Sequence, residues 1–112
     1  MSDRPKSETL DAVRVLVFNG SVLISNHGYD ELAEDGIFSD DALSGLSNAV
    51  VVEDYPNYAK GPCVLVLQHD SLGAAIHVVW GIPRGKTQPA VLITAYRPDP
   101  ELWENDLLTR RP

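Results

Sequence analysis

The stretch A-I-H-V-V-W-G, residues 75–81, carries a histidine where an aliphatic residue would serve packing equally well. Imidazole titrates near neutrality, so His77 is a candidate proton donor or acceptor. Tyr96 and Arg97 close another apolar run and offer a phenol and a guanidinium, groups suited to a phosphate or carboxylate. His77, Tyr96 and Arg97 form the candidate catalytic set. Lys60 and Arg84 in loops, with Gln68 and Thr94 on strands, are candidate substrate-binding residues. His27 at a helix start and Glu53, a potential general base opposite His77, complete the candidates.

Each has a structural alternative. A lone strand histidine is commonly half-buried and bonded across the sheet, and Tyr96 can simply be packed. Arg97 can pair with an acid of the helices, Glu53 can bridge or position a loop, and loop bases such as Lys60, Arg84 and Lys86 are usually solvated. Metal and cofactor signatures are lacking. The three histidines have no metal-ligand spacing, no glycine-rich phosphate loop precedes a helix, and no Gly-x-Ser-x-Gly elbow occurs. Cys63 has no second thiol and lies in C-V-L-V-L, which reads as a packed strand and a structural thiol.

Strand parity predicts where these side chains point. An even-length turn near residues 70–73 puts Gln68 and Val66 on one face with Ala75 and His77. An even loop before Ala90 adds Leu92, Thr94 and Tyr96. The other face is then wholly apolar: Cys63, Leu65 and Leu67, Ile76, Val78 and Trp80, and Val91, Ile93 and Ala95. A single bulge would break this sorting.

The elements needed to hold that face follow from local signals. Ser7 caps a first helix with Leu10, Val13 and Val17 on one side, stopped by Asn19-Gly20. Residues 21–24 form an edge strand or an extended link. Ser25 or Asn26 caps a second helix over about 27–34, and Ser39 starts a third. Strands follow at 49–53, 63–69, 74–81 and 90–97, and Asp99-Pro100-Glu101 is a helix start. The tail T-R-R-P frays, as do residues 1–6. The expected architecture is α+β: short N-terminal helices packed on a four-stranded antiparallel meander, closed by a short C-terminal helix. The 112 residues read as a single domain with an ordered core over about 7–108.

Net charge is −7, which disfavours broad attraction to nucleic acid or anionic membrane. Its distribution is uneven. Lys60, Arg84, Lys86 and Arg97 face a single acid, Asp70, within residues 60–97, whereas residues 30–41 hold six acids and no base. No apolar run is long enough to span a bilayer and the N-terminus has no apolar signal region, so a cytoplasmic protein that does not engage membrane is expected.

The segments S-N-H-G-Y-D-E-L-A-E-D-G-I, V-V-E-D-Y-P, H-V-V-W-G and T-A-Y-R-P-D-P together resemble the small bacterial family called domain of unknown function 4258. The resemblance spans roughly His27 to Trp103. Many relatives carry arginine four residues after the early histidine, where this chain has Glu31. The resemblance implies a sheet-plus-helices fold similar to RelE-like and barnase-like ribonucleases, which include toxins of toxin–antitoxin pairs. It then implies RNA cleavage without metal or cofactor, with His77 as acid or base, Tyr96 positioning the nucleotide, and Arg97 with Lys60 holding phosphate. The implied partners are RNA and a cognate antitoxin-like protein. Two other functions remain open: a non-catalytic module that binds protein through the acidic helical side, and a small-anion binder on the sheet.

Overall fold

The computed structural model describes residues 5–112. The elements run α1 (Glu8–Phe18), β1 (Val22–Ile24), α2 (Asn26–Glu34), α3 (Ser39–Ser44), a 3-10 turn (Gly45–Asn48), β2 (Val50–Tyr55), β3 (Cys63–His69), β4 (Ala75–Gly81) and β5 (Ala90–Tyr96). Strands β2 to β5 form the antiparallel meander that short connections favour. Residues 22–24 add a fifth strand, parallel to β5, so the sheet is mixed, with order β1-β5-β4-β3-β2. The reversal after α1 delivers this segment beside β5, where Ala90 N–H donates to the Ser21 carbonyl at 2.9 Å.

The caps explain why the helices begin where they do. Ser7 Oγ accepts from Leu10 N–H at 3.1 Å and donates to Asp54 Oδ1 at 2.9 Å, tying α1 to β2. Ser25 Oγ accepts from Gly28 N–H at 2.9 Å. At α3 the cap position is Phe38 and no side chain caps, so Ser39 is the first helical residue rather than the cap. All three helices lie on one face of the sheet. There Val13, Leu32, Ala42 and Leu46 pack against Val66, Ile76, Val78, Trp80 and Leu92.

The sorting of faces departs from simple parity. His69 pairs with Ala75, so the turn between them has an odd length. Leu67 therefore sits opposite His77, and Gln68 sits opposite Ile76 on the helix-covered face. Cys63, Leu65 and Leu67 move to the face of His77, and Val64, Val66 and Gln68 take their place in the core. Gln68 is no surface ligand. Its amide accepts from Trp80 Nε1–H at 2.9 Å and donates to the Ala42 carbonyl at 2.8 Å, linking two strands to α3. A bulge between Val79 and Trp80 pairs Trp80 with Leu92 and leaves Ile93 as the extra residue. Leu92 thus faces the helices, Val91 pairs with Gly81 on the other side, and Ile93 is exposed.

The C-terminal segment makes a strap, not a helix. Asp99 does start a turn: its Oδ1 accepts from Glu101 N–H at 2.8 Å and its carbonyl from Trp103 N–H at 3.1 Å. The chain then doubles back through Glu104 N–H to the Thr109 carbonyl at 2.8 Å and a bridge between Trp103 and Arg110. Docking of Trp103, only 3% exposed, outweighs helix propagation over so short a segment. Arg110 and Arg111 are held by side-chain bonds, so the tail does not fray there. Of the ragged start expected over residues 1–6, residues 1–4 lie outside the described residues. Among the described residues no helix is long and apolar enough to cross a membrane.

Candidate functional site

The helix-free face of the sheet owes its chemistry to a bulge in β2. Val51 pairs with Val66, but the next pair is Glu53 with Leu65, so Val52 is the extra residue. Without it, Val52 would stand opposite Leu65 and Glu53 would point into the helices. With it, Glu53 and Tyr55 join Leu65, Cys63, Val79 and His77 on the helix-free face.

At this rim Arg110 clasps Glu53 with a two-pronged ion pair, Nε to Oε2 at 2.7 Å and an Nη to Oε1 at 2.9 Å. Tyr55 O–H donates to the same Oε1 at 2.7 Å. The guanidinium lies 4.7 Å from the Trp103 ring centroid, a cation–π contact. The Arg110 bond holds the Glu53 carboxyl below its ordinary range, and the anionic carboxylate pushes the Tyr55 phenol up. Arg110 and Tyr55 are open to solvent, with 61% of the Arg110 side chain exposed, while Glu53 is half-buried, with 25% of its side chain exposed.

His77 stands beside this trio but is closed off. It is fully buried, and the strap is its lid. Nε2 lies 2.8 Å from the Leu107 carbonyl and Nδ1 lies 3.1 Å from Tyr96 Oη. A carbonyl only accepts, so Nε2 carries the proton and Nδ1 accepts from the phenol. Leu107 takes a left-handed φ of 61°, which turns its carbonyl onto the ring. Trp103 meets the imidazole edge-on at 4.5 Å between centroids. Burial lowers the His77 pKa, so the neutral ring is favoured. Both nitrogens are engaged and the ring is closed to solvent. Tyr96, opposite His77 in the sheet, has its phenol raised by burial.

The other candidates disperse. Thr94 pairs with Val79 on the same face, one row from His77. Arg97 sits at the far end of the strands, where its guanidinium meets Asp70 Oδ2 at 3.0 Å and its backbone N–H donates to Asp35. Asp70 is held low first by the Ala74 N–H and also by Leu72 N–H and Arg97, and this knot orders the β3–β4 turn. His27 is exposed on α2, its Nε2 3.6 Å from Glu31, away from the sheet face. Lys60 and Arg84 flank two loops at the opposite end of the helix-free face, joined by Arg84 N–H to the Lys60 carbonyl at 3.0 Å. Cys63 is buried, and burial raises its thiol pKa. Among the described residues no three His, Cys, Asp or Glu side chains cluster as metal ligands.

Sequence reasoning paired Glu53 with His77 and missed Tyr55, Trp103 and Arg110. The spacing E-x-Y was a usable signal, since residues two apart in a strand share a face. Arg110 had none, because its approach depends on a reversal of the strap.

Fold and site define a small α+β protein whose sheet carries helices on one face and, on the other, a strap beside an open carboxylate–guanidinium pair. The chain belongs to the family described as Domain of unknown function (DUF4258), which matches residues 24–97. No curated protein and no solved structure matches it. The matched segment contains Glu53, Tyr55, His77 and Tyr96; Trp103 and Arg110 lie beyond it.

Proposed function

We propose that the helix-free sheet face binds RNA and that Glu53, Tyr55 and Arg110 cleave it without a metal, in the manner of the RelE-like and barnase-like ribonucleases whose fold the family resemblance implies. A cognate antitoxin-like protein would then be the natural partner. The supporting observation is that the β2 bulge turns a carboxylate and a phenol outward beside an exposed guanidinium, supplying base, acid and phosphate clamp within hydrogen-bond reach of one another.

In the proposed step, Glu53 takes the proton of a ribose 2′-hydroxyl. The 2′-oxygen attacks the adjacent phosphorus, and the bond from phosphorus to the 5′-oxygen breaks. Tyr55 donates its proton to that leaving oxygen, and Arg110 balances the charge gathering on the phosphoryl oxygens. The products are a 2′,3′-cyclic phosphate and a 5′-hydroxyl end, and solvent returns both side chains to their starting protonation. An arriving phosphate competes with Glu53 for the guanidinium, which makes the carboxylate a better base at the moment it is needed. His77, Tyr96 and Trp103 act by holding the strap that presents Arg110.

The test is incubation of the purified chain with mixed-sequence single-stranded RNA in EDTA, alongside Tyr55→Phe and Arg110→Ala. The expected result is cyclic-phosphate product from the parent and a loss of about a hundredfold or more in each variant. Equal cleavage in all three, or none by the folded parent, would rule the mechanism out.

A second reading, a protein-binding module, is favoured by Phe38, 77% exposed among the acids of residues 30–41. It predicts capture of a basic partner that weakens with salt and with Asp40→Asn, Asp41→Asn; capture insensitive to both would remove it.

A further inference from the structure

Across the helix-free face from Tyr55, on β4 and β5, lies a shallow cleft of about 370 Å³, within the range of small-ligand sites. Val91 and Ile93 of β5 form its floor, and Tyr58, Pro62 and Ile82 contribute its walls. Its apolar groups stand unusually open for their type: Tyr58 is 55% and Ile93 36% exposed.

The cleft is preformed. The loops at 56–62 and 82–86 are zipped by Ile82 N–H to the Pro62 carbonyl at 3.1 Å and Arg84 N–H to the Lys60 carbonyl at 3.0 Å. Gly61 allows this approach: its φ is +123°, and a Cβ there would collide with the Ile82 carbonyl oxygen. Gly81 in turn leaves room for Ile93, whose Cδ1 would be 2.8 Å from a Cβ.

The rim is cationic. Lys60 borders the cleft, and Arg84 borders an adjoining hollow that shares Tyr58, Gly61 and Pro62. Neither base forms an ion pair with a described residue. An exposed phenol ring over an aliphatic floor, flanked by unpaired cations, complements a flat, apolar-faced anion.

Distance links this cleft to the Glu53 trio. Tyr55 pairs with Cys63 and Cys63 with Gly81, so Tyr55 and the cleft floor share one row of the sheet. Three inter-strand gaps of about 5 Å each, roughly 15 Å in all, separate them, so a base held in the cleft lies a few nucleotides along the strand from the one at Tyr55 rather than next to it.

We infer that this cleft is a nucleobase subsite for single-stranded RNA, in which a base stacks on Tyr58 over Ile93 and Val91 while Lys60 and Arg84 hold the flanking phosphates. It rests on the RNA reading above and adds to it the place where an unpaired base is held.

The test uses the cleavage-silenced Glu53→Gln chain and a fluorescein-labelled unpaired oligoribonucleotide, read by anisotropy. Tyr58→Ala is expected to weaken binding about 5- to 150-fold, the equivalent of one stacked base, whereas Tyr58→Phe keeps the affinity. Lys60→Ala with Arg84→Ala should flatten the dependence of log affinity on log salt by up to about 1.4. Titration of the ¹⁵N-labelled chain with adenosine 5′-monophosphate should move the amides of Gly61, Ile82 and Ile93.

Oligonucleotide binding that Tyr58→Ala leaves unchanged would overturn the subsite while leaving the RNA reading intact. Absence of any RNA binding by the folded parent would overturn both, and an acidic aromatic peptide that moves the same amides when RNA does not would mark the cleft as a peptide site instead.

Discussion

The two faces of the sheet solve the same problem, how to cover a five-stranded surface, in opposite ways. On one face, three helices seal Val64, Val66, Ile76, Val78, Trp80 and Leu92 completely or nearly so. Its polar atoms are satisfied internally through Trp80, Gln68 and Ala42. On the other face a single strap seals His77 through Leu107 and Trp103, and Cys63, Leu65 and Leu67 are buried beside it. Beyond its edge Glu53, Tyr55, Arg110 and Ile93 meet solvent. The difference teaches that polarity alone does not mark the chemical part of a sheet. His77 is the most polar residue of its strand and is as fully enclosed as Ile76, Val78 and Trp80, whereas the solvent-facing polar groups stand where the cover ends.

This contrast can be broken first on the helix face. Trp80→Ala removes the largest fully buried side chain and leaves Gln68 Oε1 without its donor. A loss of about 3–5 kcal/mol is expected in thermal or urea unfolding. A loss below about 1 kcal/mol would show that the helical layer is not the stabilising one.

On the strap side, His77→Gln should cost about 2 kcal/mol at pH 7.5 through two hydrogen bonds and ring packing. It should also change the pH dependence. Burial depresses the folded-state pKa of His77 below its ordinary 6.5. In acid the unfolded chain therefore takes up the proton first, and stability from this group is full above pH 6.5 and falls as pH drops toward the folded-state pKa. The slope reaches at most about 1.4 kcal/mol per pH unit. Urea unfolding of the parent between pH 7.5 and 5 should show this decline, and the variant should lack it.

At the rim, Glu53→Gln should change stability by about 1 kcal/mol at most, because the Arg110 half of the ion pair is exposed and Gln keeps an acceptor for Tyr55 and Arg110. RNA cleavage should nevertheless be lost. The smallest effect is expected at Arg97→Ala: a slight drop in melting temperature from the freed Asp70 turn and undiminished cleavage. Activity lost there with Arg110→Ala silent would move the phosphate clamp to the other end of the strands.

Much of this division could be read from the chain before folding. The three apolar runs gave β3, β4 and β5 nearly to the residue, Ser7 gave the first cap and Ser25, one of two candidates with Asn26, the second, and His77 lies beside Tyr96 and Thr94 as parity required. Parity misplaced Gln68 because register follows turn length, and residues 70–74 fold as five where an even count was expected. The bulges at Val52 and Ile93 leave no local mark in a run of β-branched residues, yet they decide which way Glu53 and Ile93 point. The strap was hidden for another reason. Asp99-Pro100-Glu101 carries every sign of a helix start, and only the tertiary docking of Trp103 on His77 turns the chain back and delivers Arg110.

The division of labour between His77 and Glu53 is tested most directly by measuring melting temperature and metal-free RNA cleavage on the same preparations of His77→Gln and Glu53→Gln. The expected result is a crossed pattern: His77→Gln melts several degrees lower and keeps cleavage, reduced only as far as the loosened strap misplaces Arg110, and Glu53→Gln melts like the parent but does not cleave. A folded His77→Gln chain without activity, beside an active Glu53→Gln, would contradict it and return the histidine to the catalytic centre.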